Sequence, residues 1–172
     1  MNYRILWSPW RYQYIRSTVK PREECIFCEI PKMRDEDAYL LYRGKYSYVV
    51  LNAYPYNSGH LMVIPYRHVD TIEKLTMEEL MEMMELTKKS LNALRRAFNP
   101  DGFNIGINIG RAAGAGVAGH VHIHVVPRWV GDANFMAVIA STKTLPLSLR
   151  ETYNILRESW EEIPGNEEAL DH

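Results

Sequence analysis

Three histidines recur at every second position in Gly119-His120-Val121-His122-Ile123-His124-Val125-Val126-Pro127-Arg128-Trp129, with β-branched residues between them. Such alternation suits a β-strand, whose side chains at i, i+2 and i+4 leave from one face. It sets three imidazoles in a row, roughly 6.5–7 Å between neighbours by the strand rise. Just ahead lies a loop, Arg111 through Gly119, with glycines at 114, 116 and 119. Glycines let backbone N–H groups approach an anion closely; a wide hairpin connection needing positive φ would ask for them too. Imidazoles beside an amide-rich loop suit nucleophilic attack on phosphorus. One neutral histidine forms a phosphoramidate, splitting a difficult transfer into two steps. A neighbour hydrogen-bonds a phosphoryl oxygen or assists the leaving group, and backbone amides stabilise the developing charge.

A second group of residues competes for these histidines. Cys25 and Cys28, in Cys-Ile-Phe-Cys, are the only two cysteines. They stand too close in sequence to staple a fold, so their spacing indicates metal or redox chemistry. A redox dithiol prefers a preceding strand, whereas Pro21-Arg22-Glu23-Glu24 reads as loop. A closed zinc site needs two further ligands, and His68, in a connecting loop, is one candidate. The rival reading, a catalytic zinc on three histidines, weakens if Cys25, Cys28 and His68 draw one of them away.

The elements that must position these groups follow from pattern. Residues 38–43 and 46–51 read as strands around an Arg43-Gly44-Lys45 turn, and His60 to Pro65 as another strand. Asn52 to Ser58 is a Tyr/Pro/Asn loop. Thr76-Met77-Glu78-Glu79 is a capping box. It opens a helix over 76–98 whose stripe is Leu80, Met84, Thr87, Leu91, Leu94 and Phe98, ended by Asn99-Pro100-Asp101-Gly102. Methionines at 77, 81, 83 and 84 offer plastic packing against the sheet or a dimer mate. Residues 103–110 form a strand with glycines, 135–140 a short one. Ser148 to Glu151 caps a C-terminal helix carrying Leu149, Tyr153, Leu156 and Trp160.

The chain has 172 residues, 47% hydrophobic and 24% charged, which suits one catalytic domain over 21–162 with an ordinary soluble core. Residues 1–20 form an aromatic, basic arm (Tyr3, Trp7, Trp10, Tyr12, Tyr14, with Arg4, Arg11 and Arg16) that packs on the body or on a second subunit. Residues 163–172 form an acidic tail expected to be disordered. A net charge of −1 makes no electrostatic case for nucleic-acid polymers or membranes. No apolar run reaches the roughly 20 residues of a membrane span, and no signal-peptide core stands at the N-terminus. A cytoplasmic protein is expected.

His120-Val-His122-Ile-His124-Val-Val resembles the His-φ-His-φ-His-φ-φ signature of the histidine triad (HIT) superfamily of nucleotidyl hydrolases and transferases. Supporting marks span roughly 25–140: the Cys-x2-Cys, the Gly59-His60-Leu-Met-Val-Ile-Pro strand, Asn108-x-Gly110, and Pro127-Arg128. The Gly114-to-His120 approach, the Trp129-x-Gly-Asp-Ala-Asn-Phe135 exit and the Trp-Ser-Pro-Trp-Arg arm at 7–11 are similar to the bacterial diadenosine tetraphosphate phosphorylase branch.

The resemblance implies an α+β fold, an antiparallel sheet of about five strands with one long helix packed on it and a C-terminal helix. It implies a homodimer, and cleavage of dinucleoside polyphosphates through a nucleotidyl-histidine. His122 would be the nucleophile, oriented by a backbone carbonyl of the same motif. His124 would contact the transferring phosphate or aid the leaving group, and His60 would join the network behind them. Asn52 falls at a ribose contact, Asn108 at a phosphate or nucleophile contact, and Gly110, Ala115 and Gly116 in the nucleotide site. Cys25, Cys28, His68 and His120 would hold a structural zinc, with no catalytic metal.

One departure concerns the acceptor. Many family hydrolases carry Gln and then Ser or Thr where this chain has Gly116 and Val117. A smaller, amide-lined pocket favours inorganic phosphate over water as acceptor, with Arg111 a candidate for the lost charge. Alternatives are a purine nucleoside phosphoramidase or mononucleotide hydrolase, and a non-catalytic zinc-stabilised nucleotide-binding module.

Overall fold

The computed structural model describes residues 24–132 and 145–162. The aromatic arm, the short strand expected at 135–140 and the acidic tail fall outside the described residues. Five strands form one antiparallel sheet: β1 (Leu40–Arg43), β2 (Ser47–Leu51), β3 (Leu61–Pro65), β4 (Gly102–Ile107) and β5 (Ile123–Arg128), in the order β1-β2-β3-β5-β4. Among the described residues, two short helices, α1 (Ile26–Glu29) and α2 (Asp35–Ala38), precede the sheet. The long helix α3 (Met77–Phe98) packs on β2, β3 and β5, and α4 (Leu149–Glu161) packs on α3 and β1. The expected α+β architecture is thus observed, with both long helices opened by capping boxes, Thr76 with Glu79 and Ser148 with Glu151. Among the described residues no helix is long and apolar enough to cross a membrane.

The sheet has two unlike faces. Val49, Leu51, Leu61, Val63, Val121, Ile123 and Val125 form the core under α3. The opposite face buries Leu40, Tyr48, Val50, Met62 and Ile64 beneath Phe27 of α1. Strand alternation therefore turns the odd residues of 121–125 toward the long helix and the histidines toward α1.

Three expected boundaries are corrected. Strand β1 starts at Leu40, because Asp35–Ala38 close a helical turn that Tyr39 ends in the left-handed region, φ 56°. Strand β4 stops at Ile107. The histidine strand joins the ladder only at Ile123, so His120 and His122 lie before it. In the continued register Val121 would face Pro65, which has no N–H to give. The chain turns elsewhere instead, and Val121 N–H donates to the carbonyl of Val69 at 2.7 Å.

The helix stripe is also corrected. Met83, not Met84, is buried in the core, 1% against 60% exposed, together with Leu86, Thr87, Ser90, Ala93 and Leu94. The 3.6-residue period admits either neighbour, and the capping geometry decides between them. Glu79 is drawn inward by Arg67 (Nε to Oε1 2.8 Å) while its Oε2 accepts the Thr76 N–H at 2.6 Å. A face containing Glu79 carries Met83 beneath it and leaves Met84 outside. Met83→Ala is expected to cost about 2–5 kcal/mol in urea unfolding and Met84→Ala under about 0.5 kcal/mol. Equal costs would overturn this assignment of the buried face.

Candidate active site

The ends of β3 and β5, the loop after β3 and the α1 turn meet at the buried histidines. His120 and His60 are fully buried and His122 is 3% exposed. His124 is flanked by Met62 of β3 and Gly106 of β4, its register partners. No heavy atom of the described residues lies within 4 Å of where a Cβ on Gly106 would stand, so among them the sheet beside His124 is open on that side.

Hydrogen bonds define which ring nitrogens carry protons. His122 Nδ1 lies 2.9 Å from the carbonyl oxygen of His120, a pure acceptor, so Nδ1 is the protonated nitrogen and Nε2 holds the lone pair. His60 Nδ1 accepts the Tyr56 N–H at 3.1 Å and lies 3.3 Å from Asn52 Nδ2. His60 therefore carries its proton on Nε2, which donates to His124 Nδ1 at 3.0 Å. His124 in turn carries its proton on Nε2. One histidine thus presents a lone pair and its neighbour a donor, with ring centroids 4.6 Å apart.

Burial keeps these rings uncharged. Desolvation lowers the pKa of His120 and of His122. His124 is pushed down to about 4, by desolvation first and by His122 second. At neutral pH the pair offers a lone pair and a hydrogen-bond donor with no need to shed a proton first.

His120 does not join them. Its Nδ1 stands 3.5 Å from Cys25 Sγ and 3.7 Å from Cys28 Sγ, and His68 Nδ1 stands 3.4 Å from Cys28 Sγ. The four donor atoms lie within 4.8 Å of one another. Tetrahedral zinc with bonds of about 2.3 Å to sulfur and 2.0 Å to nitrogen spaces these donors about 3.6 Å apart. Two sulfurs, two imidazoles and no open position fit a structural zinc. His120 Nε2 donates to the Pro65 carbonyl at 2.8 Å, which leaves Nδ1 for the metal. The geometry thus separates one histidine from the triad and removes the three-histidine catalytic site. A short helix does start at Cys25, as in a redox dithiol, yet His68 and His120 complete a four-donor set around the pair.

The nucleotide-site residues expected from sequence lie on two segments, Asn52 just after β2 and the others between β4 and β5. Asn52 Oδ1 accepts the Tyr54 N–H at 2.9 Å while its amide faces His60, so it braces the loop behind the histidines. Asn108 follows the end of β4, and Gly110 and Gly114 take φ of 79° and 88° on either side of a single 3-10 turn, Arg111–Ala113. Both glycines answer the positive-φ requirement of the connection. Ala115 is half-buried and Gly116 exposed. Arg111 is exposed on the same turn.

Two site residues were not evident from pattern. Phe27 sets its ring 4.8 Å from His122 and 5.6 Å from His120, edge-on to both. Tyr56 lies over His60 and His124 at 4.7 and 5.9 Å. Phe27's place between the two cysteines was the available sign, but only the helical turn aims it at the triad.

Comparison with known proteins agrees with this geometry. The HIT domain family model matches residues 34–130, and the chain belongs to the HIT family. It is similar to a protein named AP-4-A phosphorylase from Mycobacterium tuberculosis, 44% identical over 92% of this chain and 85% of that one. Its fold is shared with a zinc-bound histidine triad family protein from Mycobacterium smegmatis, at TM-score 0.66 and 30% identity over 81% of this chain and 94% of that one. A histidine triad nucleotide-binding protein from Sulfolobus tokodaii matches at TM-score 0.65 and 29% identity, covering 80% and 92%.

Two measurements test the site. Cys28→Ser should lose bound zinc and melt at a lower temperature, assayed by elemental analysis and calorimetry; retained zinc at an unchanged Tm would refute the assignment. The pKa of His124 is lowered to about 4 in the fold, so its contribution to stability is complete above the ordinary value near 6.5. That contribution fades as pH falls toward 4. The stability difference between wild type and His124→Gln should shrink over this window, followed by denaturant titration. A constant difference would show that His124 is not held neutral.

Proposed function

We propose that this protein is a dinucleoside polyphosphate phosphorylase that works through a nucleotidyl-histidine at His122. The observation that carries the reading is the tautomer pair, a lone pair on His122 Nε2 beside a donor on His124 Nε2. His122 Nε2 attacks the phosphorus next to a nucleoside. A P–N bond forms, the P–O bond to the remaining nucleoside polyphosphate breaks, and the leaving oxygen takes a hydrogen bond from His124. The positive charge that develops on His122 is met by the His120 carbonyl at Nδ1. In the second step an oxygen of inorganic phosphate attacks the same phosphorus and returns the electron pair to Nε2. The products from diadenosine tetraphosphate are ATP and ADP.

Three observations support this acceptor and substrate. The M. tuberculosis relative is named AP-4-A phosphorylase. Gly116 and Val117 leave the non-transferred phosphates without side-chain donors, which makes room for a phosphate ion. Among the described residues Gly106 leaves the sheet open beside His124. In this reading Asn108, Gly110, Ala115 and Gly116 line the nucleotide site together with His124. Asn52 reaches the ribose from its place against His60. The zinc site serves structure, and no catalytic metal belongs to the protein.

The chain functions as a cytoplasmic homodimer in this reading. Among the described residues strand β4 is a sheet edge, and its Ile105 and Ile107, with Ile109 just beyond it, are exposed at 48%, 37% and 41%, an apolar row that a second copy would cover. Met77, Met81 and Met84 of α3 are also exposed and offer a further adaptable surface.

Product analysis on diadenosine tetraphosphate tests the reaction. ADP plus ATP should form only with phosphate present, and His122→Ala should lose roughly a thousandfold or more in kcat. AMP plus ATP without phosphate would make the enzyme a hydrolase, and equal turnover by His122→Ala would sink the covalent route.

A further inference from the structure

The geometry points to Phe27 as a positioning residue that clamps the His122 imidazole for attack, with the metal knuckle as the clamp's mount. This inference rests on His122 being the nucleophile. Beside the neighbouring His124 imidazole, whose centroid lies 4.6 Å away, two contacts hold that ring. One is the hydrogen bond from Nδ1 to the His120 carbonyl, 2.9 Å long, which fixes the ring at one point and leaves rotation about it. The other is the Phe27 ring, whose centroid lies 4.8 Å away at 65°. An edge-to-face contact at this distance blocks the rotation that a single hydrogen bond permits.

Phe27 is itself fixed from three directions. It stands between Cys25 and Cys28 on α1, so closing the four donors on one metal ion sets the turn that aims its side chain. Its carbonyl accepts the hydroxyl of Tyr48 at 2.7 Å, and Tyr48 is fully buried in β2. Its ring is 5% exposed and packs in the core on that face of the sheet, with Leu40, Val50, Met62 and Ile64. These two supports of His122 therefore converge on the metal site. His120 carries a ligand nitrogen and the accepting carbonyl, while Phe27 rides between the two sulfurs. A merely structural zinc would stabilise the fold without bearing on His122.

Phe27→Leu keeps an apolar side chain but removes the ring edge. Zinc content should be retained, KM for diadenosine tetraphosphate should stay within about twofold, and kcat should fall at least about tenfold. Nitrogen-15 NMR of the resting protein at a single pH reads the tautomer of His122 directly. Wild type should show a single Nδ1–H form and Phe27→Leu a mixture. Unchanged kcat with a single tautomer would overturn the clamp, as would a rise in KM alone, which would make Phe27 a substrate contact. Should Phe27→Leu fail to fold, Phe27→Met, closer to phenylalanine in volume, is read the same way. Because the NMR signature needs no substrate, it separates the clamp from the proposed reaction. A wild type inactive on dinucleotides yet with an ordered His122 would fail the latter alone.

Discussion

Everything in this site depends on the double attachment of His120. Its ring is held at both nitrogens, Nδ1 among the sulfurs of Cys25 and Cys28 and Nε2 on the Pro65 carbonyl. A ring held at both ends cannot rotate, so the backbone beyond it is placed as well. The carbonyl of the same residue then selects the tautomer of His122. One side chain thus joins the metal knuckle, the end of β3 and the His122 ring. Pro65 contributes by its chemistry, since its missing N–H ends the β3–β5 ladder and frees the 120–122 segment to turn inward.

His122 and His124 are governed by a second constraint, burial without charge. Neutral imidazoles need partners for one nitrogen each, and the fold supplies them in sequence from Tyr56 N–H through His60 to His124. Desolvation that would be costly for a cation costs little for these rings. The protein obtains a lone pair and a donor side by side at neutral pH with backbone groups and one relay histidine.

Much of this was legible from the chain. Alternation at 120–124 gave the face of the histidines, both capping boxes were readable as local motifs, and Cys25, Cys28, His68 and His120 came together as the resemblance implied. The remainder was hidden for identifiable reasons. Met83 and Met84 fit a helical period almost equally, and the choice came from Arg67 pulling Glu79 inward, an interaction across a loop. The ladder's start at Ile123 depended on a proline in another strand. Asn52's contact with His60 depended on the turn at Tyr54.

By itself the sequence determined the periodic features: which residues alternate, where helices begin, which side chains can ligate a metal and which can attack phosphorus. These are local properties, set by strand and helix geometry and by side-chain chemistry. Only the tertiary structure decided how the histidines divide their work, since proton placement on His122, His60 and His124 follows from partners up to 64 residues away. It alone turned Phe27 from an apolar residue in a cysteine motif into a wall against the His122 ring. The reason is physical: a ring's tautomer and orientation are set by contacts through space, and alternation along a strand carries no information about them.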